Sequence, residues 1–307
     1  MSSLFANLPE RVSVYEVSLR DGLQNESVQV PTLAKLRLID GLVSAGVRRL
    51  EVTSFVSPRW IPQLADADEL TRTLRKVPGV TYSALVPNRQ GLNRAVTGNL
   101  DEVAVFLSVS ETHNLKNVNK TVAQTLAAFR DVVQPAIEAG RKVRAYLSTL
   151  WGCPYEGAID PRKGVEITRA LFDLGCYEVS LGDTIGVGTP KQTQRIVQMF
   201  LSEFPSDSLA LHLHDTRGTA LANVMVGLEL GIRTFDASVG GLGGCPYAPG
   251  AAGNLATEDL VYALHGMGIE TGIDLEKLVE AGRIAEAVVG RTLPGKVHQA
   301  GVRSLRG

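Results

Sequence analysis

Val12-Ser13-Val14-Tyr15-Glu16-Val17-Ser18-Leu19, followed at once by Arg20-Asp21-Gly22, is the stretch that decides the fold class. Its β-branched and aromatic content reads as a strand over 12–19. An open doubly wound sheet usually follows its first strand with a glycine fingerprint that wraps a pyrophosphate. Arg-Asp-Gly is not that fingerprint. Similar short apolar runs recur at 48–55, 81–86, 101–110, 142–149, 177–182, 208–214 and 234–239, which makes eight in all. Helical periodicity fills the gaps: Leu33, Leu36, Ile39, Leu42 and Val43 in the first, and Val165, Ile167, Leu171 and Phe172 within 161–174. Gly46, Gly140, Gly175 and Gly231 stand where helices should stop, a few residues before the next strand. Strands alternating with helices imply parallel pairing through right-handed crossovers. Eight such units in 307 residues imply a closed TIM (β/α)8 barrel, with the open sheet as the alternative.

No linker or low-complexity segment interrupts this pattern. Residues 1–307 are therefore read as one barrel catalytic domain, with a C-terminal helical extension from about 274 that begins with a helix from Leu275 to Val289. Hydrophobic residues make up 44% of the chain, enough for a sizeable core, and the formal net charge is −1. A nucleic-acid partner would need a basic stripe, which is missing. No apolar run reaches membrane-spanning length. Three cysteines, Cys153, Cys176 and Cys245, do not make a disulfide framework and suit a reducing compartment. The short polar start lacks the features of a signal or transit peptide. The expected location is cytoplasmic.

In a (β/α)8 barrel the site lies at the C-terminal ends of the strands. The polar residues expected there are Arg20 and Asp21 after the first strand, Glu51 in the second and Asp183 after the sixth. The seventh supplies His212 and His214, and the loop after the eighth supplies Cys245 and Asn254. Residues two apart on a strand share a face, so both imidazoles of His212-Leu213-His214 point the same way. With only five histidines in the chain, two at one strand end suggest a shared metal ion. A hydrogen-bonded core histidine with an incidental neighbour is the structural alternative. Asp21 and Asn254 would complete an oxygen-rich set suited to Mg²⁺ or Mn²⁺, although the same donors also take Zn²⁺ or Fe²⁺. Read without a metal, Asp21 is an Asp-Gly turn residue and Asn254 a helix N-cap.

Arg20 can stabilise a developing oxyanion, or simply pair with Glu51. An inward-facing Glu51 needs such a partner. Cys245 lies in the glycine-rich stretch from Val239 to Asn254, the kind of segment that closes over substrates. A cysteine there can serve as an acid or base. Cys176 reads as a buried small hydrophobe, and Cys153 as a second loop cysteine.

Several of these segments together resemble one family. Leu19-Arg20-Asp21-Gly22-Leu23-Gln24-Asn25-Glu26, Glu51-Val52-Thr53-Ser54-Phe55-Val56-Ser57-Pro58 and Gly152-Cys153-Pro154-Tyr155-Glu156-Gly157 are similar to segments of 3-hydroxy-3-methylglutaryl-CoA lyases. So are Ser180-Leu181-Gly182-Asp183-Thr184-Ile185-Gly186, His212-Leu213-His214-Asp215-Thr216, the Gly240–Pro246 loop and Gly253-Asn254-Leu255-Ala256-Thr257-Glu258-Asp259. The resemblance spans about residues 12–290. Arg217 departs from it, standing where many relatives have an aromatic residue.

The resemblance implies an acyl-CoA substrate and a metal-dependent retro-Claisen cleavage to acetyl-CoA and acetoacetate, chemistry that belongs to leucine degradation and ketone-body formation. It also implies a homodimer. In that scheme Asp21, His212, His214 and Asn254 hold the metal, and either Asp21 or His212 takes the hydroxyl proton. Arg20 steadies the departing enolate, Cys245 protonates it, and Glu51 and Asp183 position Arg20 and the hydroxyl network. The competing readings are a lyase for a bulkier 3-hydroxy-3-alkylglutaryl-CoA, a Claisen-type synthase, and a non-catalytic binding barrel.

Overall fold

The first strand is where the structure departs most from the pattern. The computed structural model describes residues 8–244 and 253–302. In it β1 covers only Ser13–Glu16, and a single π-type turn, Ser18–Gly22, replaces the extended continuation to residue 19. The Val17 carbonyl organises this turn, accepting from the N–H groups of Arg20, Asp21 and Gly22 at 3.1, 2.8 and 3.2 Å. Such turns are frequent at functional sites. This one carries Arg20 and Asp21 to Glu51 and the two imidazoles of the 208–214 run.

The other strands are β2 Arg49–Ser54, β3 Thr81–Leu85, β4 Glu102–Ser108, β5 Lys142–Ser148, β6 Glu178–Asp183, β7 Leu209–Leu213 and β8 Thr234–Ala237. Their ends fall within two residues of the runs read from the sequence. Each pairs in parallel with the next, and β8 pairs with β1, so the barrel closes. The expected terminal helix Leu275–Val289 is present, followed by a short one, Lys296–Ala300.

The first crossover helix, Thr32–Ser44, buries Lys35, Leu38, Ile39 and Leu42, while Leu33 is 62% exposed. Its inward face is therefore turned relative to the expected one. A buried ammonium must be paired. Lys35 Nζ donates to the Gln63 carbonyl at 2.7 Å and sits 2.5 Å from Asp66 Oδ1. Gly46 ends this region with φ 104°, and a Cβ there would lie 2.2 Å from the Gly272 carbonyl oxygen, so no other residue fits without movement.

Apolar side chains fill the layer between strands and helices, but the inside of the barrel is largely polar. Arg49, Tyr15, Arg144, Tyr146 and Arg20 form a column of alternating cations and rings. The guanidinium carbons lie 4.7 Å (Arg49) and 4.0 Å (Arg144) from the Tyr15 ring centre. Arg144 and Arg20 both lie 4.8 Å from that of Tyr146. Each contact is a cation–π attraction strengthened by exclusion of water. Glu178 bridges Arg49 and Arg144, Asp236 grips Arg144, and Glu51 grips Arg20. The column runs from Arg49, at the start of β2, to Arg20 beside the two imidazoles.

Candidate metal centre and active site

Register places the two imidazoles. His212 lies opposite Gly182 of β6 and Asp236 of β8, and His214 follows the end of β7. Both are buried, and their Nε2 atoms face each other at 3.2 Å. His212 Nδ1 lies 3.2 Å from Asp236 Oδ2. Burial pushes the Asp236 carboxyl up, but Arg144 and the bond to His212 hold it at about 2. It is therefore an ionised acceptor facing His212 Nδ1. Burial, helped by His212, lowers His214 to about 4, so its ring is neutral near pH 7.

Asp21 Oδ2 lies 3.9 and 3.8 Å from the Nε2 atoms of His212 and His214. Burial would raise the Asp21 carboxyl, but Arg20 and the two histidines hold it far below the usual carboxylate range. One ligand atom from each of the three residues falls within 4.8 Å of the others. A cation between them could take a lone pair from each of the three. Among the described residues the linked barrel network holds Arg20, Arg49 and Arg144 against Asp21, Glu51, Glu102, Glu178 and Asp236, with burial raising Glu51 and Glu102. The cluster suits a divalent ion with mixed nitrogen and oxygen ligands.

Asn254 joins the centre and is not a helix cap: the helix Thr257–Gly266 is capped at Ala256. Asn254 pairs by backbone with His214, and its Nδ2 donates to Asp21 Oδ2 at 2.9 Å. Arg20 reaches Glu51 Oε2 through Nε and Asp21 Oδ1 through Nη1, both at 2.5 Å. Its Nη2 has no protein partner among the described residues. Burial raises the Glu51 carboxyl, and Arg20 and the Tyr146 hydroxyl, which donates to Oε2 at 2.9 Å, counter this. The ion pair fixes the guanidinium and leaves one prong for a ligand.

Asp183 occupies the end of β6 as expected, but its carboxylate accepts from the N–H groups of Val187 and Gly188 at 3.0 and 2.8 Å. It braces the loop after β6, and no contact to Arg20 accompanies it. Arg217 Nη1 donates to the carbonyls of Ile185 and Gly186, tying the same loop. Cys245 lies outside the described residues. Cys176 is buried, and desolvation pushes its thiol up to about 12, as a packing residue requires. Cys153 is also buried, with Sγ 3.0 Å from Ser110 Oγ.

Sequence reading missed Tyr146, Arg144 and Asp236. The available signal was period-two alternation: Arg144 and Tyr146 share a face of Lys142–Ser148, and Asp236 sits between Phe235 and Ala237. A charged residue on the inner face of a barrel strand demands a partner there.

Fold and site together define a (β/α)8 barrel enzyme class with an Asp-His-His cluster suited to a divalent cation beside a buried guanidinium at one end of the strands. The HMGL-like family model matches residues 11–285. The cytoplasmic 3-hydroxy-3-methylglutaryl-CoA lyase of Mus musculus is 49% identical over 97% of this chain and 87% of its own length. The crystal structure of the Bacillus subtilis HMG-CoA lyase superposes with a TM-score of 0.94 at 47% identity, covering 95% of this chain and 98% of that one. An HMG-CoA lyase from Acinetobacter baumannii, in complex with coenzyme A and 3-methylmalate, gives 0.92 at 41% identity, covering 100% of this chain and 99% of that one. The chain belongs to the HMGL-like family.

Proposed function

We propose that this chain cleaves 3-hydroxy-3-methylglutaryl-CoA to acetyl-CoA and acetoacetate with Mg²⁺ or Mn²⁺ at the Asp21–His212–His214 centre. The observation that carries this reading is Arg20 pinned by Glu51 and Asp21 directly beside two facing imidazole nitrogens. Asn254 is the remaining ligand of the proposed set, through its amide oxygen. A divalent ion held there supplies a Lewis acid that lowers the pKa of a tertiary hydroxyl and orients it.

The residues do the rest. Asp21 takes the hydroxyl proton, because His212, the other candidate base, would give Nε2 to the ion while its Nδ1 faces Asp236. The C2–C3 bond breaks, C3 becomes the ketone of acetoacetate, and the bonding pair leaves on C2 as a thioester enolate. Arg20, with Nη2 uncommitted, steadies the enolate oxygen. Cys245 returns a proton to C2 and so forms acetyl-CoA. The Tyr146 ring beneath Arg20 and the Glu51 carboxylate keep water from replacing these contacts.

A homodimer in the cytoplasm is the proposed setting. The buried free thiols of Cys153 and Cys176 support a reducing compartment, and no helix among the described residues is long and apolar enough to cross a membrane. Light scattering of the purified chain checks the dimer.

The activity is tested by comparing 3-hydroxy-3-methylglutaryl-CoA with its 3-ethyl homologue, with and without metal. A higher kcat/KM for the methyl compound supports the assignment. A higher value for the ethyl compound moves it to a bulkier substrate of the same chemistry, and no cleavage of either by folded, metal-loaded protein refutes it.

A further inference from the structure

Asp236 is the most heavily engaged carboxylate in the barrel, and the scheme above gives it no part. Its Oδ1 accepts from Arg144 Nη2 at 2.5 Å. Its Oδ2 accepts from Ser180 Oγ at 2.7 Å and from Arg144 Nη1 at 3.2 Å, and lies 3.2 Å from His212 Nδ1. The carboxylate has no freedom to turn. Arg144 is fully buried between the Tyr15 and Tyr146 rings, and its Nε is held by Glu178, which is itself held by Arg49.

The opposite side of the histidine is also fixed. The Tyr146 ring meets the His212 ring edge-on, with centres 5.9 Å apart and planes at 82°. Asp236 and His212 face each other across the β7–β8 ladder, so backbone register and not a loop sets their separation.

We propose that Asp236 is a positioning residue for the metal centre: clamped by Arg144 and Ser180, it fixes the His212 imidazole in the tautomer and rotation that present Nε2 to the divalent ion. The proposal rests on the metal reading given above. It extends the centre downward through Asp236, Arg144 and Glu178 to Arg49, a continuous rod along the barrel. A carboxylate needed only to neutralise Arg144 has no reason to aim an oxygen at a ring nitrogen. Partners of this kind hold ligand histidines in orientation, and losing one typically weakens metal binding by about 10–100-fold.

The test uses the full chain with histidines labelled in ¹⁵N and Mn²⁺ as the probe. Free Mn²⁺ is counted by electron paramagnetic resonance, and the tautomer of each imidazole is read by NMR in the metal-free protein. In Asp236→Asn the Mn²⁺ Kd is expected to rise about 10–100-fold, with His212 losing its Nδ1–H tautomer. Should that variant not fold, Ser180→Ala keeps the charge pair and removes one bond, with an expected rise of about fivefold. Wild-type protein with His212 carrying its proton on Nε2 overturns the proposal. So does a folded variant with an unchanged Kd and tautomer. Wild-type protein that binds no Mn²⁺ overturns the metal reading itself, and the proposal with it.

Discussion

Replacing Arg20 with Gln separates two things the guanidinium does. In the protein, Arg20 spends Nε on Glu51 and Nη1 on Asp21, both at 2.5 Å, and lies over the Tyr146 ring. Only Nη2 is left for the enolate oxygen. Losing a single oxyanion donor costs about 10²–10³ in kcat, or roughly 2.7–4 kcal/mol. The second cost falls on stability, because Glu51 is fully buried. Removing one partner of a buried pair costs about 3–5 kcal/mol in general. Here the Tyr146 hydroxyl still donates to Glu51, and burial already raises the Glu51 carboxyl, so it can take up a proton and lose its charge. That relief places the expected loss at the lower end, about 3 kcal/mol. The assay is kcat and KM at saturating Mg²⁺, with urea unfolding and metal content measured on the same preparation. The expected result is a folded, metal-loaded protein with kcat down at least about a hundredfold. A kcat within tenfold of wild type would refute the oxyanion role, and a loss that follows metal content alone would show that Arg20 acts only through Asp21.

Three other outcomes follow from the geometry. His214→Ala should strip the divalent ion, read by metal analysis after gel filtration, and a full complement would remove His214 from the ligand set. Cys245→Ala should abolish most turnover while metal content stays unchanged, and full activity would end its role as the acid. Burial pushes Glu258, whose Oε2 accepts the Gly240 N–H at 2.7 Å, up to about 8. A carboxyl raised on folding contributes stability that is complete below its unfolded pKa and is lost as pH rises through the folded value. The urea midpoint should therefore fall from about pH 4.5 to about pH 8, and Glu258→Gln should flatten that slope. An unchanged slope would mean that Glu258 is ionised throughout.

The barrel was legible because the strands are short apolar runs, four of which start just after a helix stopped at Gly46, Gly140, Gly175 or Gly231, a local signal that tertiary packing reinforced. The π-type turn at Ser18–Gly22 was not, because it depends on one carbonyl, that of Val17, collecting three N–H groups. That His212 and His214 share one face at a strand end was legible from strand periodicity. Glu51 was legible as a buried charge in want of a partner, and Arg20 was the partner found. Arg144 and Asp236 escaped because their meaning is a long-range pairing between β5 and β8, separated by 92 residues, which no local window contains. Asp183 stood at the right strand end, yet its two oxygens serve backbone N–H groups whose positions only the folded loop reveals.

The central claim is that cleavage passes through a thioester enolate formed beside a divalent ion. The direct measurement is single-turnover cleavage of 3-hydroxy-3-methylglutaryl-CoA in D₂O, with products resolved by mass spectrometry. Equimolar acetoacetate and acetyl-CoA, one deuterium in the acetyl methyl group, and no product after metal removal are the expected results. Equal cleavage in metal-stripped protein, or acetyl-CoA without deuterium when bulk solvent has exchanged every acidic proton, would contradict the account.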